Sequence, residues 1–133
     1  MLQKLNSRRG GFTLVEIMIV VAIIALLAAI AVPNFLRARK RSQATRVLED
    51  LRMIDSAIDQ YAIETNKTTG ASVAWTDVKS YLKTGSALYN SGGADLFGNT
   101  FGALKVDTLP NVPTNTKPSL SDVAPAEFWS PFQ

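Results

Sequence analysis

Residues 12–32 read FTLVEIMIVVAIIALLAAIAV, and the only polar side chains in this run are those of Thr13 and Glu16. As an α-helix with a rise of 1.5 Å per residue, the run is about 31 Å long, enough to cross the hydrocarbon layer of a membrane. Because the helix from Ile17 to Val32 is apolar on every face, lipid or similar helices must surround it. Residues 12–33 are therefore predicted to be the membrane-spanning half of a longer helix.

The chain continues in helical spacing beyond this run. Pro33 lacks a backbone donor and predicts a helix bend. Apolar residues then recur at three- and four-residue spacing, which predicts an amphipathic half of the helix over residues 34–65. Its buried stripe is predicted to contain Ala44, Val47, Leu48, Leu51, Ile54, Ile58, Tyr61 and Ala62. Its solvent face is predicted to contain Glu49, Asp50, Arg52, Asp55, Asp59 and Gln60.

Residues 66–133 form a small C-terminal globular region with weaker signals. Residues 66–70 are predicted to end the long helix, with Gly70 just past its last turn. Thr76 is predicted to cap a short helix through Leu82. The apolar spacing of residues 101–109 predicts a short strand that pairs with Leu88 and Tyr89. The predicted class is α+β, with the amphipathic half of the helix packed on a small antiparallel sheet and loops.

Turn signals and aromatic residues complete this region. Residues 90–93 read NSGG and predict a turn. Residues 95–101, DLFGNTF, predict a second turn that leads into the strand, with Gly98 at positive φ. The aromatic side chains are expected to form the core rather than a binding face. They are Trp75, Tyr81, Tyr89, Phe97, Phe101, Phe128 and Trp129.

Composition limits the chemistry of the 133 residues. Neither Cys nor His occurs, so disulfides, thiolate catalysis and imidazole acid–base catalysis are excluded. The net charge of +3 resides in the first eleven residues, which contain Lys4, Arg8 and Arg9. Without them 14 − 3 = 11 basic side chains face 11 acidic ones, so the charge gives no support to a nucleic-acid partner. No constellation of catalytic groups is visible, and the chain is predicted not to be an enzyme.

A basic cluster, residues 37–41, follows the apolar run and contains Arg37, Arg39, Lys40 and Arg41. Two interpretations are open for it. The cluster can bind acidic lipid or DNA, or it can be a solvated anchor at the membrane edge. We favour the anchor.

Glu16 is the costly residue of the apolar run. A carboxylate in the centre of a spanning helix costs about 2.5–3.5 kcal/mol on insertion scales, and less near the interface. Three interpretations are open. Glu16 can lie at the interface, where the helix dipole favours a negative charge. It can be a proton or ion site, or it can meet a positive group from another copy of the chain.

The residues around Glu16 carry a family resemblance. Residues 10–18, GGFTLVEIM, resemble the cleavage and methylation motif of type IV prepilins and type II secretion pseudopilins, and Pro33-Asn34-Phe35 resembles the usual end of their apolar half. The resemblance implies a leader peptide over residues 1–11. It implies cleavage between Gly11 and Phe12 by a prepilin peptidase, and N-methylation of Phe12. Glu16 falls at the family's glutamate, whose pairing with the new amine of Phe12 in a neighbouring copy is expected to set the stagger of the subunits.

The resemblance also implies a function. The chain would be a non-enzymatic filament subunit of a type IV pilus or a secretion pseudopilus, made as a single-pass inner-membrane protein with its C-terminal part in the periplasm or in the filament. Its partners would be copies of itself, other pilins, the prepilin peptidase and the assembly platform with its ATPase. Small residues on the helix would help it pack, namely Ala22, Ala25, Ala28 and Ala29.

No cofactor is expected. Calcium is a weaker expectation, because major secretion pseudopilins bind it in a C-terminal loop. The oxygen-bearing side chains of that region are those of Asp107, Ser119, Ser121, Asp122 and Glu127, and they lack the ligand spacing of an EF-hand.

Three alternatives to this interpretation are open. The first alternative is cleavage by signal peptidase, because the small residues Ala28, Ala29 and Ala31 resemble its cleavage site. The second is a minor subunit at the filament tip, against which the presence of Glu16 argues mildly. The third is a periplasmic binding module for which the N-terminal helix is only a membrane tether.

Overall fold

The computed structural model describes residues 10–133 and confirms the predicted α+β class. A single helix, α1, runs from Leu14 to Thr65 and contains both the apolar run and the amphipathic stripe. Short elements follow it: β1 at Ser72–Val73, α2 at Trp75–Lys79, α3 at Ala87–Asn90, β2 at Leu104–Lys105, α4 at Thr116–Ser119 and a 3-10 helix at Ala126–Trp129. Of the predicted leader, only Gly10 and Gly11 fall within the described residues; Lys4, Arg8 and Arg9 lie outside them.

The chain divides into two compact units within α1, the first ending at Leu36 and the second covering Arg37–Gln133. In the first unit every described residue is solvent-exposed, including large apolar side chains such as Phe12, Leu14 and Leu26. Helix α1 is long and apolar enough to cross a membrane, as judged by its length and composition. Pro33 lies inside α1, and helical residues both precede and follow it. The predicted bend at Pro33 stays a prediction.

The second unit buries the predicted stripe of α1. Ala44, Val47, Leu51, Ile54 and Ile58 are buried, as expected, and Leu48, Tyr61 and Ala62 are half-buried. Ala57, which the prediction omitted, is buried too.

The prediction for Asp50 was wrong. It was placed on the solvent face, but only 8% of its surface is exposed. The spacing explains the error, because Asp50 lies three residues after Val47 and four before Ile54, and therefore on the same face of the helix.

The long helix ends at Thr65, as predicted, but not through Gly70. Asn66 adopts a positive φ of 50°, and the amide of Lys67 donates to the carbonyl of Ala62 at 3.0 Å. This is the terminal bond of a Schellman motif, in which Asn takes the place usually held by Gly. Gly70 also has a positive φ, but its amide donates to the carbonyl of Val106 in the loop that follows.

The sheet is small and antiparallel, as predicted, but its pairing differs from the prediction. Ser72 pairs with Lys105 and Val73 with Leu104. The predicted pairing with Leu88 and Tyr89 was wrong, because those residues lie in α3. Ser86 begins α3 by accepting a hydrogen bond from the amide of Tyr89 at 3.2 Å, so a local cap took precedence over the apolar pattern.

Two further local predictions need correction. Helix α2 is capped from Ala74, whose amide donates to the carboxylate of Asp77 at 3.2 Å, and not by Thr76. Leu109, expected in the strand, is 42% exposed because β2 ends at Lys105. The turn at residues 95–100 and the positive φ of Gly98 are confirmed.

The aromatic residues mostly build the core, as expected. Phe101 and Trp129 are buried, and Trp75, Tyr81, Tyr89 and Phe128 are half-buried against the same core. Phe97 is the exception, with 39% of its surface exposed.

Candidate functional site

Glu16 takes part in capping the first turn of α1. The amide of Thr13 donates to Oε2 of Glu16 at 3.1 Å, and the amide of Glu16 donates to Oγ1 of Thr13 at 3.2 Å. This reciprocal pair is a capping box, which satisfies two of the backbone donors that a helix start leaves free. A negative charge in the first turn is also favoured by the helix dipole. Within one chain, the geometry therefore agrees with the interpretation that Glu16 lies in the first helical turn, where the helix dipole favours its negative charge.

Sequence reasoning recognised the dipole but missed this box. The signal was present, because Thr13 and Glu16 have the three-residue spacing of a threonine cap and its glutamate. Only Oε2 of Glu16 is used, and Oε1 has no hydrogen-bond partner among the described residues. A positive group from outside the chain can therefore reach Oε1 without first breaking the cap.

The predicted cleavage point lies just before this cap. Gly10 to Phe12 are non-helical and exposed, and Phe12 keeps 83% of its surface accessible. A Cβ built on Gly10 or Gly11 would meet no heavy atom within 4 Å among the described residues beyond its chain neighbours. The peptide bond between Gly11 and Phe12 is therefore open to an enzyme, and the helix begins two residues beyond it.

The basic cluster is partly tied to the globular part of the second unit. Nζ of Lys40 lies 2.9 Å from Oδ2 of Asp122, and the guanidinium of Arg41 lies 5.9 Å from the centroid of the Phe128 ring. The hydrogen bond from Lys40 lowers the pKa of the Asp122 carboxyl. Two of the four cations thus have partners within the chain, although Arg37, Arg39 and Arg41 are all exposed. The membrane-edge anchor stays a prediction.

The oxygen-bearing side chains considered for calcium are not gathered into one site. Asp107 accepts a hydrogen bond from Oγ1 of Thr69 at 2.5 Å, Asp122 pairs with Lys40, and Glu127 is exposed. Ser119 and Ser121 donate to nearby backbone carbonyls. Within residues 10–133, no group of three or more acidic side chains is placed to hold a metal ion. Calcium binding by this region stays a prediction.

Sequence reasoning missed a buried polar network in the second unit. Oδ1 of Asp95 accepts from the amides of Phe97 and Asn99, both at 2.9 Å, and Oδ2 accepts from the hydroxyl of the fully buried Thr116. The amide group of Asn99 also donates to Thr116 at 2.9 Å. An aspartate that binds amides two and four residues on is typical of a side-chain-stabilised turn. Its long-range link to Thr116 has no signal in the sequence.

Comparison with known proteins finds a family model that matches the N-terminal part of the chain, and several similar proteins. The family model described as the prokaryotic N-terminal methylation motif matches residues 6–32. The type IV major fimbrial protein FimA of Dichelobacter nodosus is 40% identical over 72 residues, which are 54% of this chain and 45% of that protein. The type IV wide pilus major component PilA4 of Thermus thermophilus is 45% identical over 64 residues, 48% of this chain and 49% of its own length.

A secretion protein is also similar, over a comparable share of the chain. The type II secretion system core protein G of Aeromonas hydrophila is 32% identical over 62 residues, which are 47% of this chain and 43% of that protein. The chain spans about half the length of the curated relatives it matches. No solved structure matches it.

Together, the methylation motif and the exposed apolar helix define the class of membrane-anchored chains that begin with a prepilin-type segment. Within that class, the chain is similar to type IV pilins and to a type II secretion core protein, and these findings support a pilin or pseudopilin family. The recognition made from residues 10–18 is thereby confirmed.

Proposed function

We propose that this chain is a structural subunit of a type IV pilus or a type II secretion pseudopilus, cut between Gly11 and Phe12 and polymerised through α1. The observation that carries the proposal is the first unit, in which a wholly exposed apolar helix contains a single carboxylate, that of Glu16. Such a surface is unstable in water and needs either lipid or other helices around it. In a filament, α1 would be surrounded by the helices of other subunits. Before assembly, it would be surrounded by the lipid of the membrane.

Cleavage would supply the missing positive charge. It would free the amine of Phe12 at the positive end of the helix dipole, where a cation is disfavoured. Each copy would then contain one unfavourable amine and one carboxylate with a free oxygen at nearly the same depth. Pairing Phe12 of one copy with Glu16 of its neighbour would relieve both, and it would fix the axial stagger between subunits.

Helix packing would supply the remaining contacts. Moving an apolar helix from lipid into a bundle replaces one apolar surrounding by another, so the net gain from burial is small. Close contact at small residues then matters more, and Ala22, Ala25, Ala28 and Ala29 offer such positions on α1. A bend at Pro33 would let this half adjust its direction within the filament.

The proposal also covers location and partners. The precursor would cross the inner membrane once, with the second unit in the periplasm before assembly. Its partners would be copies of itself, other pilins, a prepilin peptidase and an assembly platform. The printed names of the relatives are those of fimbrial, pilus and secretion proteins. A non-enzymatic role agrees with those names and with a composition free of Cys and His.

Mass spectrometry of the mature N-terminus tests this proposal. Co-expression with a prepilin peptidase should yield a chain that begins at Phe12 and weighs 14 Da more there, the mass of one methyl group. The matched control is Gly11→Val, which should block cleavage while leaving α1 unchanged. A chain that keeps Met1 in the presence of an active peptidase would contradict the proposal and support the tether. A new terminus after Ala31 would instead indicate a signal peptide.

A further inference from the structure

The loop that follows α1 contains the sequence pattern of an acceptor for N-linked sugars. Residues 66–68 read Asn-Lys-Thr, which matches the pattern Asn-x-Thr with a residue other than proline in the middle. No other Asn in the sequence has Ser or Thr two positions later. A pattern of three residues also occurs by chance, so the structure around Asn66 decides whether it can act. An acceptor must lie in an exposed loop.

Asn66 meets this requirement. It follows Thr65, the last residue of α1, and residues 66–70 are all exposed and lie outside helices and strands. The positive φ of Asn66 turns the chain out of the helix, in a conformation that Asn tolerates better than most residues. The side-chain amide of Asn66 is therefore presented at the surface of the second unit.

Thr68 and the space around the loop also fit an acceptor. Thr68 is exposed, and its carbonyl accepts from the amide of Ala71 at 3.1 Å, so a turn follows the pattern directly. A Cβ built on Gly70 in this turn would meet no heavy atom within 4 Å among the described residues beyond its chain neighbours. A bulky, hydrated group attached to Asn66 therefore has room beside the loop.

Two residues in the last turn of α1 add to the site. Glu64 is exposed two positions before Asn66, and its Oε2 accepts from the hydroxyl of Tyr81 at 2.5 Å, which holds the carboxylate in place. A fixed negative charge beside the acceptor gives an enzyme a second recognition point through a cationic side chain. Ile63 is 80% exposed, and a sugar chain on Asn66 would cover part of this apolar surface.

We propose that Asn66 is an acceptor for an N-linked oligosaccharide and is recognised through Thr68 and Glu64. The donor would be an oligosaccharide linked to a polyprenyl pyrophosphate. The side-chain nitrogen of Asn66 would form a bond to C1 of the first sugar, the bond between C1 and the pyrophosphate oxygen would break, and the amide would lose one proton.

In the cell, this modification rests on the proposed function in one respect. The second unit must reach the periplasm, where a membrane-bound transferase and its lipid-linked donor would meet the loop. The acceptor chemistry itself depends only on the second unit, because Glu64, Asn66 and Thr68 all belong to it. The site can therefore be tested apart from the membrane and the filament.

Glycosylation of the full chain in detergent micelles tests the site. The probes are a purified bacterial oligosaccharyltransferase and an oligosaccharide linked to polyprenyl pyrophosphate, and mass spectrometry follows the intact chain and its tryptic peptides. The native chain should gain the mass of one oligosaccharide, on the peptide that contains Asn66. Thr68→Val should lower the glycosylated fraction at least about tenfold, because it removes the hydroxyl of the pattern.

Thr68→Ser restores that hydroxyl and should be glycosylated like the native chain. The matched control is Thr65→Val, the same change at the exposed residue just before Asn66 and outside the pattern, which should leave glycosylation unchanged. Glu64→Gln should lower the glycosylated fraction, because it keeps an acceptor for the Tyr81 hydroxyl but removes the charge.

Three results would overturn the proposal: no sugar on the native chain, sugar only on another residue, or an unchanged glycosylated fraction in Thr68→Val. An unchanged fraction in Glu64→Gln would refute the role given to Glu64. The assay in micelles does not depend on membrane orientation, so its failure would leave the filament role standing. A chain that keeps Met1 beside an active prepilin peptidase would contradict the filament role and leave the glycosylation result as it is.

Discussion

Nζ of Lys40 lies 2.9 Å from Oδ2 of Asp122, and this ion pair joins α1 to a loop 82 residues further along the chain. Beside it, the guanidinium of Arg41 lies over the ring of Phe128. The two contacts hold the C-terminal segment against the part of α1 that begins the second unit. A cluster that looks like a simple membrane-edge anchor in the sequence therefore also helps to order the end of the chain.

Asp122→Asn should lower the melting temperature of the second unit slightly, and more at low salt than at high salt. Both side chains are about half-exposed, so solvent and ions screen the pair. Because Lys40 lowers the pKa of Asp122, the contribution is present above the ordinary aspartate value and is lost as the pH falls through the lowered one. Thermal melts at two salt concentrations measure this. Glu127→Gln, at an exposed position, is the control and should show no such salt dependence.

Glu16→Gln should leave the start of α1 capped but prevent filament formation. The amide oxygen of Gln can still accept from Thr13, whereas the charge that would pair with Phe12 is gone. Thr13→Val has the opposite effect, because it removes the hydroxyl that caps the helix and keeps the carboxylate. It should cost about 1 kcal/mol of capping energy locally.

Hydrogen exchange at residues 13–17 and electron microscopy of filaments separate these two roles. We expect faster exchange only in Thr13→Val, and loss of filaments mainly in Glu16→Gln. Normal filaments from Glu16→Gln would show that charge pairing does not direct assembly.

Asp50 predicts an unusual dependence of stability on pH. Its pKa is raised above the ordinary value of 3.8 in the folded chain, mainly by burial. Between these two values the folded state binds more protons than the unfolded state, so this group makes the protein less stable as the pH rises through that window. Asp50→Asn should therefore be at least as stable as the native chain at neutral pH.

Denaturant unfolding at several pH values measures that effect. The slope of stability against pH in the window above 3.8 should change in Asp50→Asn and stay as in the native chain in Glu127→Gln, a change at an exposed position. A large loss of stability in Asp50→Asn at neutral pH would indicate that Asp50 has a partner inside the fold.

Gly93→Ala should destabilise the second unit more than Gly98→Ala. Both glycines have a positive φ, of 91° and 83°, which costs an L-residue about 1–2 kcal/mol. Only at Gly93 would the new Cβ also meet a neighbour, at 3.0 Å from Cδ2 of Trp75, whereas Gly98 faces open space. We expect a total cost of about 2–4 kcal/mol at Gly93. Urea unfolding of both variants checks this, and equal costs would mean that Trp75 moves aside.

Thr116→Val should cost about 1–3 kcal/mol, because it leaves the buried carboxylate of Asp95 and the amide group of Asn99 each without one partner. The shape of the side chain is kept, so packing changes little. Thr114→Val, at an exposed position two residues earlier, is the control and should stay within about 0.5 kcal/mol. Equal stability of the two variants would show that water replaces the Thr116 hydroxyl.

Helix α1 was predictable because its signals are local and repeat. Twenty-one nearly unbroken apolar residues indicate a helix surrounded by lipid or by other helices. The three- and four-residue spacing from Ala44 to Ile58 indicates a helix with one buried face and one solvent face. The processing motif was also recognisable at residues 10–18 by residue type and spacing alone, and the family model matches residues 6–32. Asn66 could have been read as the helix end, but Asn at that position is a weaker signal than Gly.

The rest was decided by contacts between residues far apart in sequence. Which strand pairs with Leu104, which acid meets Lys40, and why Asp50 is buried beside Asp95 all depend on how the second unit closes over α1. Two-residue strands and four-residue helices are too short to show a hydrophobic period in the sequence. Local caps and long-range hydrogen bonds therefore determine whether such a segment forms a helix, a strand or a turn. The sequence by itself determined the long helix, its apolar half and its processing motif, because those follow from side-chain chemistry repeated along one element. Only the tertiary structure determined the buried polar groups, because a charge becomes costly only when the chain has removed it from water.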